Sequence, residues 1–305
     1  MPYHSVMRRV LWAVAGLMMA LPLAGAAQEQ IQQYSYLYPQ QPMPDEGLPV
    51  SPFFEGWYDN GDGTVTFSFG YLNRNKTTVR HIRHGESNLI ENSDFQGVQP
   101  TVFHPGRQRG VFAVTVPADS RAEDVWWNII DEETGEVHKV PGRGTVSAYE
   151  LDWNPRPHGS LPPLLWFESE SSADRGPEGV TAPANVTTDV GQPVTLSVKV
   201  RDDSPRDPED ERFDDTIPVR VVWSLFDGDP EALSFWRHEA HMNSGDDPRV
   251  VQLPEAYGVA RVDVTFSRPG TYLFRAQADN FAGPDSSSND QCCWSNAYQR
   301  VVVDE

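Results

Sequence analysis

Two stretches constrain the fold of this chain more than any others. The first is Val219-Arg-Val-Val-Trp223-Ser-Leu-Phe-Asp227-Gly-Asp229, and the second is Arg268-Pro-Gly-Thr-Tyr272-Leu-Phe-Arg-Ala-Gln-Ala-Asp279-Asn280. In the first, apolar positions alternate around a Trp and the run ends in an acidic, glycine-containing turn. In the second, a Pro-Gly turn feeds an alternating run that begins with a Tyr, and Tyr272, Phe274, Ala276 and Ala278 share one face. Both are strands of a β-sandwich, and the Tyr is placed where its hydroxyl can bond back to the turn before it.

The order Trp, then Asp-Gly-Asp, then Pro-Gly-Thr-Tyr resembles the polycystic-kidney-disease (PKD) family of extracellular, immunoglobulin-like β-sandwich modules. The resemblance implies a tyrosine corner at Tyr272 with Trp223 in the same core. It implies no catalytic residue, so function has to be argued from sites.

The rest of the chain repeats the pattern. Phe53-Phe-Glu-Gly-Trp-Tyr58, the turn Asp59-Asn-Gly-Asp-Gly63 and Thr64–Tyr71 read as a hairpin, because Asn-Gly and Asp-Gly supply the positive φ that tight turns need. Further strands are expected at 110–116, 125–130, 136–140, 145–151, 186–190, 194–201, 219–226, 258–267, 271–279 and 297–303. Short strands punctuated by turn residues, with no sustained helical period, predict an all-β chain of two tandem sandwiches. Pro-rich 154–163 and Ser/Gly/acid-rich 168–183 mark the join. The expected layout is a signal peptide over 1–27, a flexible leader over 28–52, a first sandwich over 53–167, a linker over 168–183 and a second, PKD-like sandwich over 184–305. The segments Phe54-Glu-Gly-Trp-Tyr, Phe69-Gly-Tyr-Leu-Asn-Arg-Asn75 and Phe103-His-Pro-Gly-Arg through Val116 resemble a set of exported bacterial proteins in which such a module precedes a PKD-like domain. That resemblance covers about Ser51 to Trp153.

Arg8 and Arg9, the uncharged apolar run Leu11–Leu23 and the small residues Ala24-Gly-Ala26 have the layout of an export signal. The apolar run is too short for a membrane span. The mature chain is therefore expected outside the cytoplasm: periplasmic, at the cell surface or extracellular. Its formal charge of −20 becomes two units more negative once Arg8 and Arg9 are lost. Such a balance disfavours nucleic acid and anionic lipid as partners and favours divalent cations or basic partners, although a solvated acidic surface that keeps an exported protein dispersed accounts for it as well. The partner expected is a protein or polysaccharide at the cell surface.

Asp202, Asp203, Asp207, Asp214 and Asp215, with Glu209, Asp210 and Glu211 between them, crowd one loop and are the candidate ligands for Ca²⁺, which takes six to eight oxygens. Arg201, Arg206 and Arg212 in the same stretch compete for those carboxylates, and no spaced Asp-x-Asp-x-Asp-Gly order is present. Cys292 and Cys293 are adjacent and cannot join two strands. A vicinal disulfide, a free or cross-chain thiol pair, and a pair of soft metal ligands all stay open, with an oxidising compartment favouring the first. With Trp294 they are the candidate recognition loop, expected at the surface or half-buried. Trp126 and Trp127 are candidates for an exposed aromatic surface, although neighbours on a strand face opposite ways and one of them belongs in the core. His238-Glu-Ala-His241 lacks the four-residue spacing of a zinc helix and is expected to face solvent. His81, His84 and Glu86 are equally well a polar strand end. No nucleophile elbow, phosphate loop or dinucleotide fingerprint occurs.

These residues together predict an exported, non-catalytic β-sandwich protein of adhesion, assembly or recognition. A carbohydrate-binding protein using exposed aromatics and a secreted hydrolase whose residues converge only in three dimensions are the alternatives.

Overall fold

Branched and aromatic residues alternate with polar ones along most of the chain, and strands form wherever they do. The computed structural model describes residues 44–151, 161–207, 209–280 and 294–305. The first half supplies β1 (Val50–Asp59), β2 (Thr64–Asn73), β3 (Arg80–His81), β4 (Asn88–Ile90), β5 (Val102–Phe103), β6 (Gly106–Pro117), β7 (Val125–Ile130) and β8 (Val137–Gly142). The second supplies β9 (Leu164–Trp166), β10 (Val180–Thr181), β11 (Val186–Asp189), β12 (Val194–Arg201), β13 (Val219–Asp227), β14 (Leu233–Arg237), β15 (Val250–Leu253), β16 (Tyr257–Phe266), β17 (Gly270–Asp279) and β18 (Trp294–Asp304). The helical pieces among the described residues are 3-10 turns of three residues. The fold is all-β, and among the described residues no helix is long and apolar enough to cross a membrane.

In the first half the sheets β1-β2-β6 and β4-β7-β8 enclose an aromatic core of Phe67, Phe69, Phe103, Phe112 and Trp127. The hairpin forms where the glycines allow it. Gly61 and Gly63 take positive φ, and Asp59 and Asp62 accept backbone N–H groups at 2.9 and 3.0 Å. In the second half the sheet β10-β18-β17-β13-β15 packs on β14-β16-β12-β9. Trp223, Tyr272, Phe274 and Phe266 fill the space between. The Tyr272 hydroxyl donates to the Arg268 carbonyl at 3.0 Å, which is the expected corner. The second sandwich is immunoglobulin-like.

Several expectations need correction. Residues 45–52, placed in the flexible leader, are held in the fold: Leu48 and Asn75 exchange two hydrogen bonds at 2.8 Å, and Val50 is buried at the start of β1. The strand expected over 145–151 is a 3-10 turn, Ser147–Tyr149, tied to Trp57 through the Leu151 amide. The segment β9, counted with the first sandwich, is an edge strand of the second, because Leu165 is needed in that core. Within the expected linker, Val180–Thr181 pairs with β18. The export signal, most of the leader, Trp153, Cys292 and Cys293 lie outside the described residues.

Candidate functional site

Side chains of a strand alternate between faces, so the residues of β17 not used in the sandwich core point the other way. They are Leu273, Arg275, Gln277 and Asp279, and their cross-strand partners on β13 are Asp227, Ser224, Val222 and Arg220. On β18 the partners are Arg300, Tyr298, Asn296 and Trp294. In an isolated sandwich this outer face would meet water. Here the first half covers it.

The joint is made by matching pieces from both sides. A register shift between Leu225 and Asp227 turns Phe226 outward into the aromatic core of the first half, while Val102 of β5 enters the core of the second. Thr101 donates its N–H to the Phe226 carbonyl at 2.9 Å and its hydroxyl to Asp227 at 2.7 Å. Gln277 donates to the Arg109 carbonyl at 2.8 Å, Asn296 to the Gly110 carbonyl at 2.7 Å, and the Tyr298 hydroxyl to the Val111 carbonyl at 3.1 Å. Trp294 lies against Gly110, whose φ is +51°. Residues Asp45–Glu305 thus form one unit.

The two sides do not close completely. A cleft of about 710 Å³ remains, floored by Arg220, Val222, Ser224, Arg275 and Gln277 and walled by His104, Arg107, Gln108, Arg109, Lys76 and Arg249. Two chain irregularities shape the wall. Registers shift at Phe54/Gly56 and at Phe69/Tyr71, and between them the buried carboxylate of Glu55 meets Arg107 at 2.7 Å. A Cβ on Gly70 would lie 2.1 Å from Glu55 Oε1, so only glycine lets the pair form there. Burial pushes the Glu55 carboxyl up, and Arg107 opposes that shift.

Charge in the cleft is one-sided. Of the 24 Lys and Arg residues in the chain, six are among the described residues that line it, and no described Asp or Glu does. Four of the six have carboxylate partners just outside: Lys76 with Asp45, Arg107 with Glu55, Arg220 with Asp279, and Arg249 with Asp247. Arg109 and Arg275 have no ion-pair partner among the described residues. Arg275 is 4% exposed, and its Nε and Nη1 are buried without a hydrogen-bond partner. Its neighbours Tyr71 and Tyr298 are pushed up to about 12 by burial, so they stay neutral and do not offset it.

His104 sits at the cleft edge with both ring nitrogens engaged. Arg249 Nη1 approaches Nδ1 at 3.3 Å, so Nδ1 accepts and Nε2–H donates to the Leu225 carbonyl at 3.2 Å. Burial, then the Arg249 charge, lower its pKa to about 4. An unfolded His titrates near 6.5, so between those values the unfolded chain binds the proton and the folded one does not. The contribution of neutral His104 is therefore complete above about pH 6.5 and is lost as pH falls toward about 4, amounting to at most about 3 kcal/mol. Denaturant melts across this range should show the slope for the native protein, and His104→Gln should flatten it. An unchanged slope in the variant would place the acid sensitivity elsewhere.

The residues singled out in the sequence are scattered elsewhere. The Asp202 carboxylate is buried and holds Arg206 at 2.9 Å, the Ser204 N–H at 3.0 Å and the Asn280 amide at 3.1 Å. Asp203 takes Arg175 through both oxygens at 2.9 and 3.0 Å. Asp207 accepts the Glu209 N–H at 2.9 Å, and Asp214 and Asp215 are exposed. Among the described residues no group of three or more His, Cys, Asp or Glu side chains converges on one point. Trp127 is fully buried with its indole N–H on Asn88, so it cannot face a ligand. Trp126 is half-buried under the Lys139 ammonium, 4.6 Å from the ring centroid. Trp294 is buried in the joint rather than displayed on a loop, because the hollow at Gly110 receives it. His241 is buried, not solvent-facing: its Nε2 is 3.1 Å from the Arg261 amide, and His238 caps the same 3-10 turn. His84 bonds the Gln99 carbonyl at 2.8 Å. Trp236, which the sequence did not single out, is 57% exposed.

No protein-family model matches this sequence, and no curated protein matches it. Among solved structures, the D00-D0 domain of Intimin is 13% identical, covering 84% of this chain and 100% of that one, with a TM-score of 0.25. The D0-D1 domain of Intimin is 11% identical over 83% and 97%, with a TM-score of 0.23. The PapD-like domain 7 of human CEP192 is 15% identical over 53% and 96%, with a TM-score of 0.24. Similarities of this size leave function to be argued from the residues themselves.

Proposed function

We propose that the chain is an exported, non-catalytic recognition protein acting in adhesion or assembly at the cell envelope or outside the cell, and that its ligand seats in the cleft between the two sandwiches. The second sandwich is read as PKD-like on Trp223, the Asp227-Gly-Asp229 turn and the Tyr272 corner. The observation that carries the reading is the cleft, a concavity of about 710 Å³ built from backbone-braced side chains of both halves. Its lining offers guanidinium, amide, hydroxyl and apolar groups, which suit holding a ligand. Among the described residues that line it, arginines and amides outnumber every other polar group and there is no Asp or Glu, a composition suited to holding rather than to turning over a ligand.

A glycan and surface-polymer array tests this. Binding should occur and should be lost in Val222→Trp, which fills the floor of the cleft. Binding that survives Val222→Trp and disappears in Trp236→Ala would move the ligand to the exposed aromatic on β14 and overturn the cleft reading. So would the absence of binding both on the array and to small anions in solution.

A further inference from the structure

Among the described residues the six cations of the cleft have four carboxylate partners, which leaves two positive charges over. One of them, Arg275, is almost completely buried, and a guanidinium cannot escape the cost by losing its proton. Burying an unpaired charge costs several kcal/mol, and folded proteins avoid it unless something compensates. The surrounding fold does not: Tyr71 accepts the His104 amide at 2.8 Å, Tyr298 donates to Val111, and Ser224 donates toward the Arg275 carbonyl rather than its side chain. The side chain lines the cleft, and so does Arg109 of β6.

We propose that the cleft holds an oxyanion of one or two negative charges, seated between Arg275 as the buried anchor and Arg109 at the rim. This deepens the recognition reading and rests on it. A planar guanidinium fork matches a carboxylate, sulfate or phosphate through two parallel N–H donors, and the low dielectric around Arg275 strengthens each of them. Among the described residues no Asp or Glu lines the cleft, and the carboxylates of Asp45, Glu55, Asp279 and Asp247 are already held by Lys76, Arg107, Arg220 and Arg249. Such chemistry is offered by free sulfate or phosphate and by the carboxylate of an acidic sugar. The acidic total of the protein makes the site selective, because an extended polyanion meets a repelling surface beyond the cleft while a single oxyanion does not.

The test measures calorimetric binding and melting temperature with sodium sulfate, phosphate and glucuronate, each against sodium chloride of matched ionic strength. Sulfate and phosphate stabilise many proteins by exclusion from their surfaces, so native protein is compared with Arg275→Met and Arg109→Gln under identical salts. Native protein should show saturable binding and a rise in melting temperature. Arg275→Met should melt higher than native protein without anion and should bind about 30-fold more weakly or worse. Arg109→Gln, a half-exposed position, should fold normally and bind with reduced affinity, so it carries the test even if Arg275→Met does not fold. Sulfate and phosphate binding without glucuronate marks a free inorganic anion, and glucuronate binding marks an acidic sugar. Anion responses identical in native protein and Arg109→Gln would overturn the proposal. Neutral glycans that bind and are displaced by Val222→Trp, with no anion bound, would overturn the charge class and leave the recognition reading standing.

Discussion

Replacing Trp223 by alanine is expected to destabilise the protein by about 3–5 kcal/mol, the range for truncating a fully buried large aromatic. Trp223 is completely buried on the inner face of β13, in one core with Tyr272, Phe274 and Phe266, and the surrounding strands are paired on both sides. Neighbours tied into two ladders cannot collapse into the space, so most of the void stays open. The indole Nε1 is buried without a hydrogen-bond partner, so Trp223→Phe removes no polar contact and should cost clearly less than Trp223→Ala. Equilibrium urea melts of both variants give the two numbers. A loss under about 1 kcal/mol for Trp223→Ala would mean that this side chain is not the centre of the second core.

How much of this was legible beforehand follows from the range of each signal. The Asp59–Gly63 hairpin, β7, β12, β13 and the Tyr272 corner were readable because period-two alternation and turn chemistry are local. Alternation says that Arg275 and Gln277 lie on the face opposite Phe274. It cannot say whether that face meets water or another part of the chain. The register shift that turns Phe226 outward, and the entry of Val102 into the other core, join residues more than a hundred positions apart and leave no local trace. The strand β14 escaped because its half-buried and exposed positions carry Leu233, Phe235 and Trp236 alike, so polarity did not mark its faces. Net charge misled most. A formal charge of −20 pointed to cations and basic partners, yet six basic side chains gather in one cleft. A total carries no information about placement. The acidic loop that drew attention as a metal site uses Asp202 and Asp203 to hold Arg206 and Arg175. Arg206, visible in the loop, was the signal for ion pairing, whereas Arg175 comes from 28 positions away and left none.

Gly110→Ala is expected to destabilise the whole unit by about 2–4 kcal/mol. Its φ of +51° is a region where a side chain costs about 1 kcal/mol, and its added Cβ would fall 1.6 Å from Nε1 of Trp294. Overpacking of this kind adds roughly 1–3 kcal/mol. Trp294 cannot move aside cheaply, because it pairs with Asp279 at the end of β17 and the neighbouring Asn296 bonds the Gly110 carbonyl itself. Relief therefore has to come from pulling β6 off the β17–β18 face, which also opens the contacts of Gln277 and Tyr298. If the halves are coupled through the exchanged residues Phe226 and Val102, the variant should still unfold in a single transition, at lower denaturant, with tryptophan fluorescence and far-ultraviolet dichroism coinciding. Two separated transitions, the later one at the native midpoint, would show that the second sandwich is stable alone. The cleft would then be a contact between independent bodies, and the buried Arg275 would be exposed to water for part of the time.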